Sequence, residues 1–395
     1  MKKRIMAVLL LAVLILTLCA CGRKSKSVEV QETPAPAPAV ETPEPTPDPA
    51  EKIAAAAELF RQGSYADALK ELKALEALGD PEVAWLLGKS FYEGLGGKVD
   101  VKRGVEYLQS AADGGVVAAR YLLADASDNG TGLPKDKDEA ARSYVKFAAL
   151  SDELKPDAPG YGSAMVGLTQ CYAKGLGVEK NAKFALDAAN KAADAEGLTP
   201  FDLMTLAAYF DSTDSVKITE AADAQAAAAG EKPEAARKID AAKAKELYIR
   251  AFDSIQALAD AGNLRAQKLL GDFYFDGLGN VTRDYAKALE IYTRAGEAGD
   301  AASQARVGYI YQNALGVPAD YGKAMEWNNR AAEQGNPQGQ EQIGYLYQEG
   351  LGVTKSLDEA SRWYAKAKEG GSEWAAAMLD ETDIGWAYGG HGAHA

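Results

Sequence analysis

The stretch Gly271–Gly279, GDFYFDGLG, contains two closely spaced glycines, which suit either a phosphate-binding loop or a structural turn. The choice between these two interpretations decides the fold. A phosphate loop occurs once, between a strand and a helix, with a Lys or Ser/Thr placed to reach the phosphate. This stretch instead has relatives along the chain, which are FYEGLGG at 91–97, CYAKGLGV at 171–178, YQNALGV at 311–317 and YQEGLGV at 347–353. The recurrence indicates a structural turn in a repeated unit.

The copies of this turn have the same types of residue at the same distances from the turn. The first residue of the turn is Gly94, Gly130, Gly175, Gly277, Ala314 or Gly350. Seven residues earlier stands Leu, Val or Ile, six earlier a mostly small residue, three earlier an aromatic residue in all copies but one, and two later a glycine. The apolar, small and aromatic residues share one side of a helix, where the small residue admits the backbone of a neighbouring helix. The glycines supply the positive φ that ends this helix and forms the turn.

A second helix follows each turn. In DYAKALEIYTRAGEAGD, YGKAMEWNNRAAEQGN and SLDEASRWYAKAKEGGS, an alanine is followed by bulky residues three or four positions later, by alanine at plus seven and by glycine at plus eleven. The sequence therefore predicts an all-α fold, an α-solenoid of about seven to eight stacked antiparallel helix pairs over residues 51–380.

One unit departs from this period. FDLMTLAAYFDS can form its first helix and AKELYIRAFDSIQALADAGN its second, but the closing Gly262 comes seven residues late. The delay predicts two additional helical turns. An Ala-rich insertion at 211–237 separates the two helices and lacks apolar periodicity. It is interpreted either as a partner-specific element or as a solvated, partly helical excursion.

The repeat resembles a known family. The pattern A-x3-LG-x2-Y-x2-G-x-GV…KA-x2-WY-x-KAA-x2-G is similar to the Sel-1-like repeat, a relative of the tetratricopeptide repeat, over roughly Ala84 to Ser372. In stacked helical-pair solenoids the first helices line the concave face. Aromatic residues that flank the repeat positions on these helices are therefore the candidates for binding a partner, and they are Tyr92, Phe273, Phe275, Tyr309 and Tyr345.

The N-terminus reads as a secretory signal over residues 1–20, with a cationic start and an apolar run of about 15 residues. Leu18-Cys19-Ala20-Cys21 resembles a bacterial lipobox, which implies that Cys21 carries a diacylglyceryl group and becomes the first residue after cleavage. Cys19 is a competing site, but the bulky Leu18 directly precedes it. The alternative is an uncleaved membrane helix. The resemblance places the protein on the extracytoplasmic face of a bacterial cell membrane, anchored by lipid.

Two further segments lack a helical pattern. Residues 21–50 contain seven prolines between Pro34 and Pro49, which predicts a disordered linker of polyproline II character that spans up to roughly 90 Å. A ligand for proline-binding domains is the other interpretation. Residues 381–395 are expected to form a flexible tail with the only histidines, His391 and His394. The pair could hold a metal, but the tail offers too few ligands.

The residue inventory argues against catalysis. With both histidines in the tail, a Ser-His-Asp or Cys-His mechanism in the body is excluded. Cys171 lies beside Tyr172 on a core-forming helix and is interpreted as a buried apolar residue. The net charge of -14 and the lack of a basic cluster exclude nucleic acid as a partner. No cofactor, metal or small-molecule substrate is expected.

The leading hypothesis is a lipid-anchored scaffold or peptide-binding adaptor that presents an extended groove to other proteins. Two rival classes stay open. One is a secreted hydrolase acting on β-lactam or cell-wall substrates, because some secreted members of the family that the repeat resembles are described as acting on β-lactams. The other is a solute-binding lipoprotein, although that class usually alternates strands and helices in two lobes.

Overall fold

The chain is all-helical throughout the part that the structure describes. The structure is a computed structural model and describes residues 48–151, 153–211 and 240–379, which contain no strand. Their α-helices are α1 (Pro49–Arg61), α2 (Tyr65–Leu75), α3 (Pro81–Glu93), α4 (Val101–Asp113), α5 (Val117–Asn129), α6 (Lys137–Ser151), α7 (Tyr161–Lys174), α8 (Ala182–Ala193), α9 (Pro200–Asp211), α10 (Ala241–Asp260), α11 (Leu264–Asp272), α12 (Tyr285–Glu297), α13 (Ala301–Gln312), α14 (Tyr321–Glu333), α15 (Pro337–Glu349) and α16 (Leu357–Glu369). A last helical stretch covers residues 373–379.

Several sequence predictions lie outside the described residues. They concern the signal peptide, Cys21, the linker up to residue 47, most of the insertion, and the tail. Met1–Thr46 and Pro47–Ala395 are separate units, and every helix above belongs to the second. Helix α1 begins at Pro49, inside the predicted linker, because the Asp48 side chain accepts a hydrogen bond from the Ala50 amide and proline suits the first helical turn.

The helices form consecutive pairs, and this confirms the predicted α-solenoid. Each odd-numbered helix packs on the even-numbered helix that follows it, from α1 on α2 to α15 on α16. Odd-numbered helices also contact one another across neighbouring pairs, as α5 does with α7 and α13 with α15. The odd-numbered helices therefore form the inner, more closely spaced row.

The glycine turns end the odd-numbered helices as predicted. Gly94 and Gly350 have φ of 72° and 71°, and each donates its amide to the carbonyl four residues earlier. The Asp100 amide then donates to the Phe91 carbonyl at 2.8 Å, which closes the loop. The Asp100 side chain caps α4 by accepting a bond from the Arg103 amide at 3.1 Å. Equivalent amide-to-carbonyl bonds join Asp284 to Tyr274, Asp320 to Tyr311 and Ser356 to Tyr347.

The second glycine of each turn makes a contact between units. A Cβ on Gly96 would lie 2.2 Å from the Tyr65 carbonyl oxygen, at the start of α2 in the preceding pair. A Cβ on Gly352 would lie 2.6 Å from the Tyr321 Cβ at the start of α14. This glycine is required because the turn rests directly on the neighbouring helix, not because a ligand needs room. The question raised by GDFYFDGLG is therefore answered in favour of a structural turn.

Ala314 occupies the first glycine position of its turn and provides a test of this geometry. It is the only non-glycine residue with positive φ, 54°, among the described residues. A side chain in this conformation costs roughly 1–2 kcal/mol, partly offset by the greater unfolded-state freedom of glycine. We expect Ala314→Gly to raise the free energy of unfolding by about 1 kcal/mol in urea titrations. Gly350→Ala should lower the free energy of unfolding by a similar amount. If both variants are as stable as the natural protein, the positive φ at this position of the turn causes no strain.

The role of the small residue before each turn differs in detail from the prediction. The residue was expected to admit a neighbouring helix backbone, but it accommodates a side chain from the second helix of the same pair. The Tyr292 ring lies over Gly271, where a Cβ would be 2.3 Å from it, and the Tyr364 ring lies over Gly344 in the same way. The close backbone approach occurs instead at Gly104, where a Cβ would lie 2.6 Å from the Tyr92 amide nitrogen.

The irregular unit has the predicted length. Helix α10 contains 20 residues, whereas α12, α14 and α16 contain 13 each. The seven additional residues correspond to two helical turns, so this prediction is confirmed.

Candidate functional site

The inner face of the N-terminal pairs is filled by the chain itself. Lys89 on α3 is only 1% exposed, and its Nζ lies 2.6 Å from an Asp202 carboxylate oxygen on α9. The same ammonium lies 3.3 Å from Glu93 and 3.1 Å from the Ser163 hydroxyl. The Thr199 hydroxyl oxygen also lies 3.3 Å from Lys89 Nζ. The ammonium thus joins three odd-numbered helices, α3, α7 and α9, across the inside of the solenoid.

The protonation states in this cluster follow from burial and pairing. Burial works to lower the pKa of Lys89, but the carboxylates of Asp202 and Glu93 outweigh it and raise the pKa. Burial likewise works to raise the pKa of Asp202, but the Lys89 charge and several hydrogen bonds hold it below its usual value. The Asp202 contribution to stability is therefore present above the usual carboxyl pKa and is lost as the pH falls. Burial raises the pKa of Glu93, so the contribution of Glu93 to stability has the opposite pH dependence. It is present at low pH and weakens as the pH rises.

Further contacts close the same inner face. The Asn263 side chain, at the start of α11, donates to the Glu93 carbonyl at 2.7 Å. The Arg265 guanidinium lies 4.3 Å from the centre of the Phe201 ring. A Cβ on Gly160 would lie 2.9 Å from the Trp85 ring. Among the described residues, these side chains occupy the inner face between α3 and the start of α11, where the extended groove was expected.

Two of the five predicted partner-binding residues are buried, and a third is partly buried. Tyr92 is partly buried inside the closed region, and burial raises the pKa of its hydroxyl to about 12. Phe273 is fully buried, with its ring centre 5.1 Å from that of Phe252. Phe275 is also buried, with its ring centre 5.2 Å from that of Tyr285. The interpretation of Phe273 and Phe275 as contact residues is corrected, because both are core residues.

The regular repeat accounts for the burial of Phe273. Its equivalents in two other pairs, Ile310 and Leu346, are also fully buried, so this position, one residue before the repeat aromatic, belongs to the core. Phe275 lies in a π-helical turn, Phe273–Gly277, which follows α11 and has a wider winding than the α-helix.

The other two predicted residues lie on the open part of the inner row. Tyr309 on α13 is 38% exposed and Tyr345 on α15 is 37% exposed. They occupy equivalent positions, one residue after Gly308 and Gly344. The structure thus brings Tyr309 and Tyr345 to the same inner row, where α13 contacts α15 directly.

A polar cluster that the sequence interpretation missed adjoins Tyr309. The Asp272 carboxylate accepts a hydrogen bond from the Tyr292 hydroxyl at 2.7 Å and lies 2.5 Å from Lys268 Nζ. It also lies 3.8 Å from Arg306. The Arg306 guanidinium stands 5.1 Å from the centre of the Phe275 ring. Asp272 occupies the repeat position of Tyr309 and Tyr345, and this correspondence is the signal that could have identified it.

Cys171 lies in the core as the sequence indicated. It is fully buried, and burial raises the pKa of its thiol to about 12. At pH 8 only about one thiol in ten thousand is then a thiolate, the reactive form. We expect iodoacetamide at pH 8 to leave Cys171 unmodified in the native protein and to modify it fully in guanidinium, as measured by peptide mass spectrometry. Rapid modification of the native protein would contradict the burial.

The described residues contain neither a membrane-spanning helix nor a metal-binding cluster. No helix among them is long and apolar enough to span a bilayer. No group of three or more histidine, cysteine, aspartate and glutamate side chains in this part of the chain is arranged to hold a metal ion.

The fold and the turn geometry define a helical-repeat solenoid of short pairs joined by glycine turns. The Sel1 repeat pattern matches residues 81–116, 117–152, 161–196, 264–300, 301–336 and 337–372, which together make up more than half of the chain. The chain belongs to the Sel1 repeat family. Sel1 repeat proteins generally serve as scaffolds for protein–protein interaction and bind other proteins.

Comparisons with individual proteins give more distant similarities. The chain is 29% identical to the uncharacterized protein NMB1327 of Neisseria meningitidis serogroup B over 62% of this chain and 49% of that one. It is 28% identical to the chitin synthase regulator SKT5 of Saccharomyces cerevisiae over 59% of this chain and 29% of that one. The chain thus spans about half or less of the length of these curated relatives. Among solved structures it is similar to c5321, a protective antigen of uropathogenic Escherichia coli with an SLR fold, at 25% identity over 84% of this chain and 64% of that one, with a TM-score of 0.32.

Proposed function

We propose that the protein is a lipid-anchored scaffold on the extracytoplasmic face of a bacterial membrane, and that it binds an extended segment of another protein along the inner row at α13 and α15. One observation carries the proposal. Tyr309 and Tyr345 are exposed at equivalent positions of neighbouring units, whereas the equivalent Lys89 is buried in the closed N-terminal region.

The spacing of the two tyrosines favours an extended segment as the occupant. Packed helices lie roughly 8–10 Å apart, and an extended chain rises about 3.3 Å per residue. Tyr309 and Tyr345 would therefore contact residues about three positions apart. Their hydroxyls and the guanidinium of Arg306 supply hydrogen-bond donors for the carbonyl groups of such a segment. The aromatic rings supply contact area at a low cost in conformational entropy.

Action through a bound protein agrees with the Sel1 family's general role. The similarity to a protein named as a regulator of an enzyme also supports it. A regulator acts on another protein and needs no catalytic group of its own.

Photo-cross-linking in the intact cell tests the docking face. A photoreactive phenylalanine analogue in place of Tyr309 or Tyr345 should capture the same partner from both positions. The matched control is Phe184 on α8, which is 51% exposed but lies outside this row. The double variant Tyr309→Ala and Tyr345→Ala should weaken binding of the captured partner at least tenfold without lowering the melting temperature. Capture of one species equally from all three positions would contradict the proposal.

The lipid anchor is tested separately. Cys21→Ser should abolish incorporation of an alkyne-tagged fatty acid and keep the signal peptide uncleaved, whereas Cys19→Ser should change neither. The readouts are fluorescence of the tagged lipid and the mass of the N-terminal peptide. Equal labelling of the Cys21→Ser variant and the natural protein would exclude Cys21 as the attachment site.

A further inference from the structure

One arginine on the open part of the inner row has no carboxylate on its own helix. Arg306 is the only charged residue of α13. Four exposed arginines elsewhere each form an ion pair of 2.5–2.9 Å with a glutamate one helical turn away on the same helix, and they are Arg61, Arg142, Arg330 and Arg362. Because α13 offers no such glutamate, the charge of Arg306 can be neutralised only by groups outside its helix.

The carboxylate that lies closest to Arg306 is Asp272, and its oxygens already have other partners. Asp272 Oδ1 accepts a hydrogen bond from the Tyr292 hydroxyl at 2.7 Å, and Asp272 Oδ2 lies 2.5 Å from Lys268 Nζ. Arg306 Nε stands 3.8 Å from Asp272 Oδ1, which is beyond hydrogen-bond distance. The Arg306 side chain donates no hydrogen bond to any described residue, so its N–H donors are available to a ligand.

Packing fixes the position of the Arg306 guanidinium. The guanidinium lies over the Phe275 ring, 5.1 Å from its centre, and the Phe275 ring centre lies 6.2 Å from that of Tyr309. The attraction between the ring and the cation holds the guanidinium in place without using its N–H donors. The Arg306 side chain is 32% exposed, so the charge is partly shielded from water and still reachable from the inner row.

Arg306 adjoins one of the two tyrosines of the docking face and has no charged equivalent at the other. It precedes Tyr309 by three residues on α13, which is about 4.5 Å along the helix axis. The residue in the same place before Tyr345 is Gln342, which carries no charge. The docking face is therefore asymmetric, with a cation beside Tyr309 only.

We propose that Arg306 and the Tyr309 hydroxyl form a carboxylate subsite, so that the segment bound at α13 and α15 carries an aspartate or glutamate side chain there. The proposal rests on the proposed function, because it specifies the occupant of the same face. A carboxylate accepts two parallel hydrogen bonds from a guanidinium, and such charge-assisted bonds are stronger than neutral ones. Arg306 lies on the side of Tyr309 that faces Phe275 in the preceding unit. The acidic residue should therefore lie beyond the residue at Tyr309 when counted from Tyr345.

Selection from a displayed library of random linear peptides, with the full chain as target, tests the subsite. Peptides selected on the natural protein should share an aspartate or glutamate at a fixed distance from an apolar or aromatic residue. Replacing this acidic residue of a selected peptide with its amide should raise the Kd for the natural protein about tenfold or more, measured by fluorescence anisotropy. The same change in the peptide should have almost no effect on binding to Arg306→Gln, because this variant lacks the group that recognises the charge.

Three controls separate recognition of the charge from general effects. Arg330→Gln removes an exposed arginine that is paired with Glu326 on α14, and it should bind all peptides as the natural protein does. Arg306→Lys keeps the charge but lacks the two parallel donors, so it should retain only part of the acidic preference. The melting temperature of Arg306→Gln should change no more than that of Arg330→Gln, which shows that the fold is intact.

Selected peptides without a shared acidic residue would overturn the subsite, as would an unchanged acidic preference on Arg306→Gln. The docking face has a separate readout, because the double variant Tyr309→Ala and Tyr345→Ala should lose the selected peptides whatever their charge. Peptides that need the tyrosines but carry no acidic residue would remove the subsite alone. Selection of no peptide at all would contradict both the subsite and the docking face.

Discussion

Lys89→Met is expected to lower the free energy of unfolding by about 3–5 kcal/mol, because it leaves the buried carboxylate of Asp202 without its counter-ion. The Ser163 and Thr199 hydroxyls keep their hydrogen bonds to Asp202 in this variant, so the loss comes mainly from the unpaired buried charge. Chemical denaturation followed by circular dichroism measures the loss. A second readout is hydrogen exchange in α9, which should accelerate because the variant breaks its contact with α3.

The control variants separate the charge from the packing. Lys89→Met combined with Asp202→Asn and Glu93→Gln removes the ammonium and both of its carboxylate partners and should recover at least half of the loss, since no unpaired buried charge remains. Arg142→Met removes one partner of the exposed pair with Glu139 and should leave the transition unchanged, because exposed pairs contribute little. A loss for Lys89→Met no larger than that for Arg142→Met would show that the cluster does not hold α3 to α9.

Gly96→Ala is expected to destabilise the protein by about 2–5 kcal/mol, which combines the cost of positive φ with the cost of overpacking. The new Cβ would lie 2.2 Å from the Tyr65 carbonyl oxygen and 2.7 Å from the Ala66 amide nitrogen. Both atoms belong to backbone, so a rotamer change cannot relieve the contact. Urea denaturation of the full chain measures the effect.

Gly63 offers a matched comparison. Its φ of 78° is close to the 75° of Gly96, but no atom lies within 4 Å of the position that a Cβ would take. Gly63→Ala should therefore cost only the roughly 1–2 kcal/mol of the left-handed backbone. The difference between the two variants isolates the contact between units. If both variants lose the same stability, the second glycine of the turn serves the backbone conformation alone.

The periodic part of the fold was predictable because each unit repeats the same local physics. The phase of the turns placed Ala314 at a glycine position, and its φ is indeed positive. The late Gly262 predicted the length of α10 in the same way. These features depend on residues that lie close together along the chain, so a single unit contains the information.

The closed inner face was not predictable from the period. Lys89 and Asp202 are separated by 113 positions, and their meeting depends on the accumulated curvature of the units between them. The sequence around Lys89 offered one weak signal, a lysine and a glutamate one helical turn apart on an otherwise apolar helix. Phe273 was assigned wrongly for a different reason, because its position is a core position in the regular repeat, as its equivalents Ile310 and Leu346 show.

The contact of the second glycine of each turn with the preceding unit has a consequence for the number of repeats in the protein. Gly316 rests on Tyr285 and Gly352 rests on Tyr321, so neighbouring turns meet the same residue type. Excision of residues 301–336 would bring Gly352 onto Tyr285 and recreate an equivalent junction. Duplication of the same residues would create one more. Unequal recombination within the gene can therefore add or remove one repeat without disturbing the junctions. Each such event adds or removes one exposed tyrosine of the inner row.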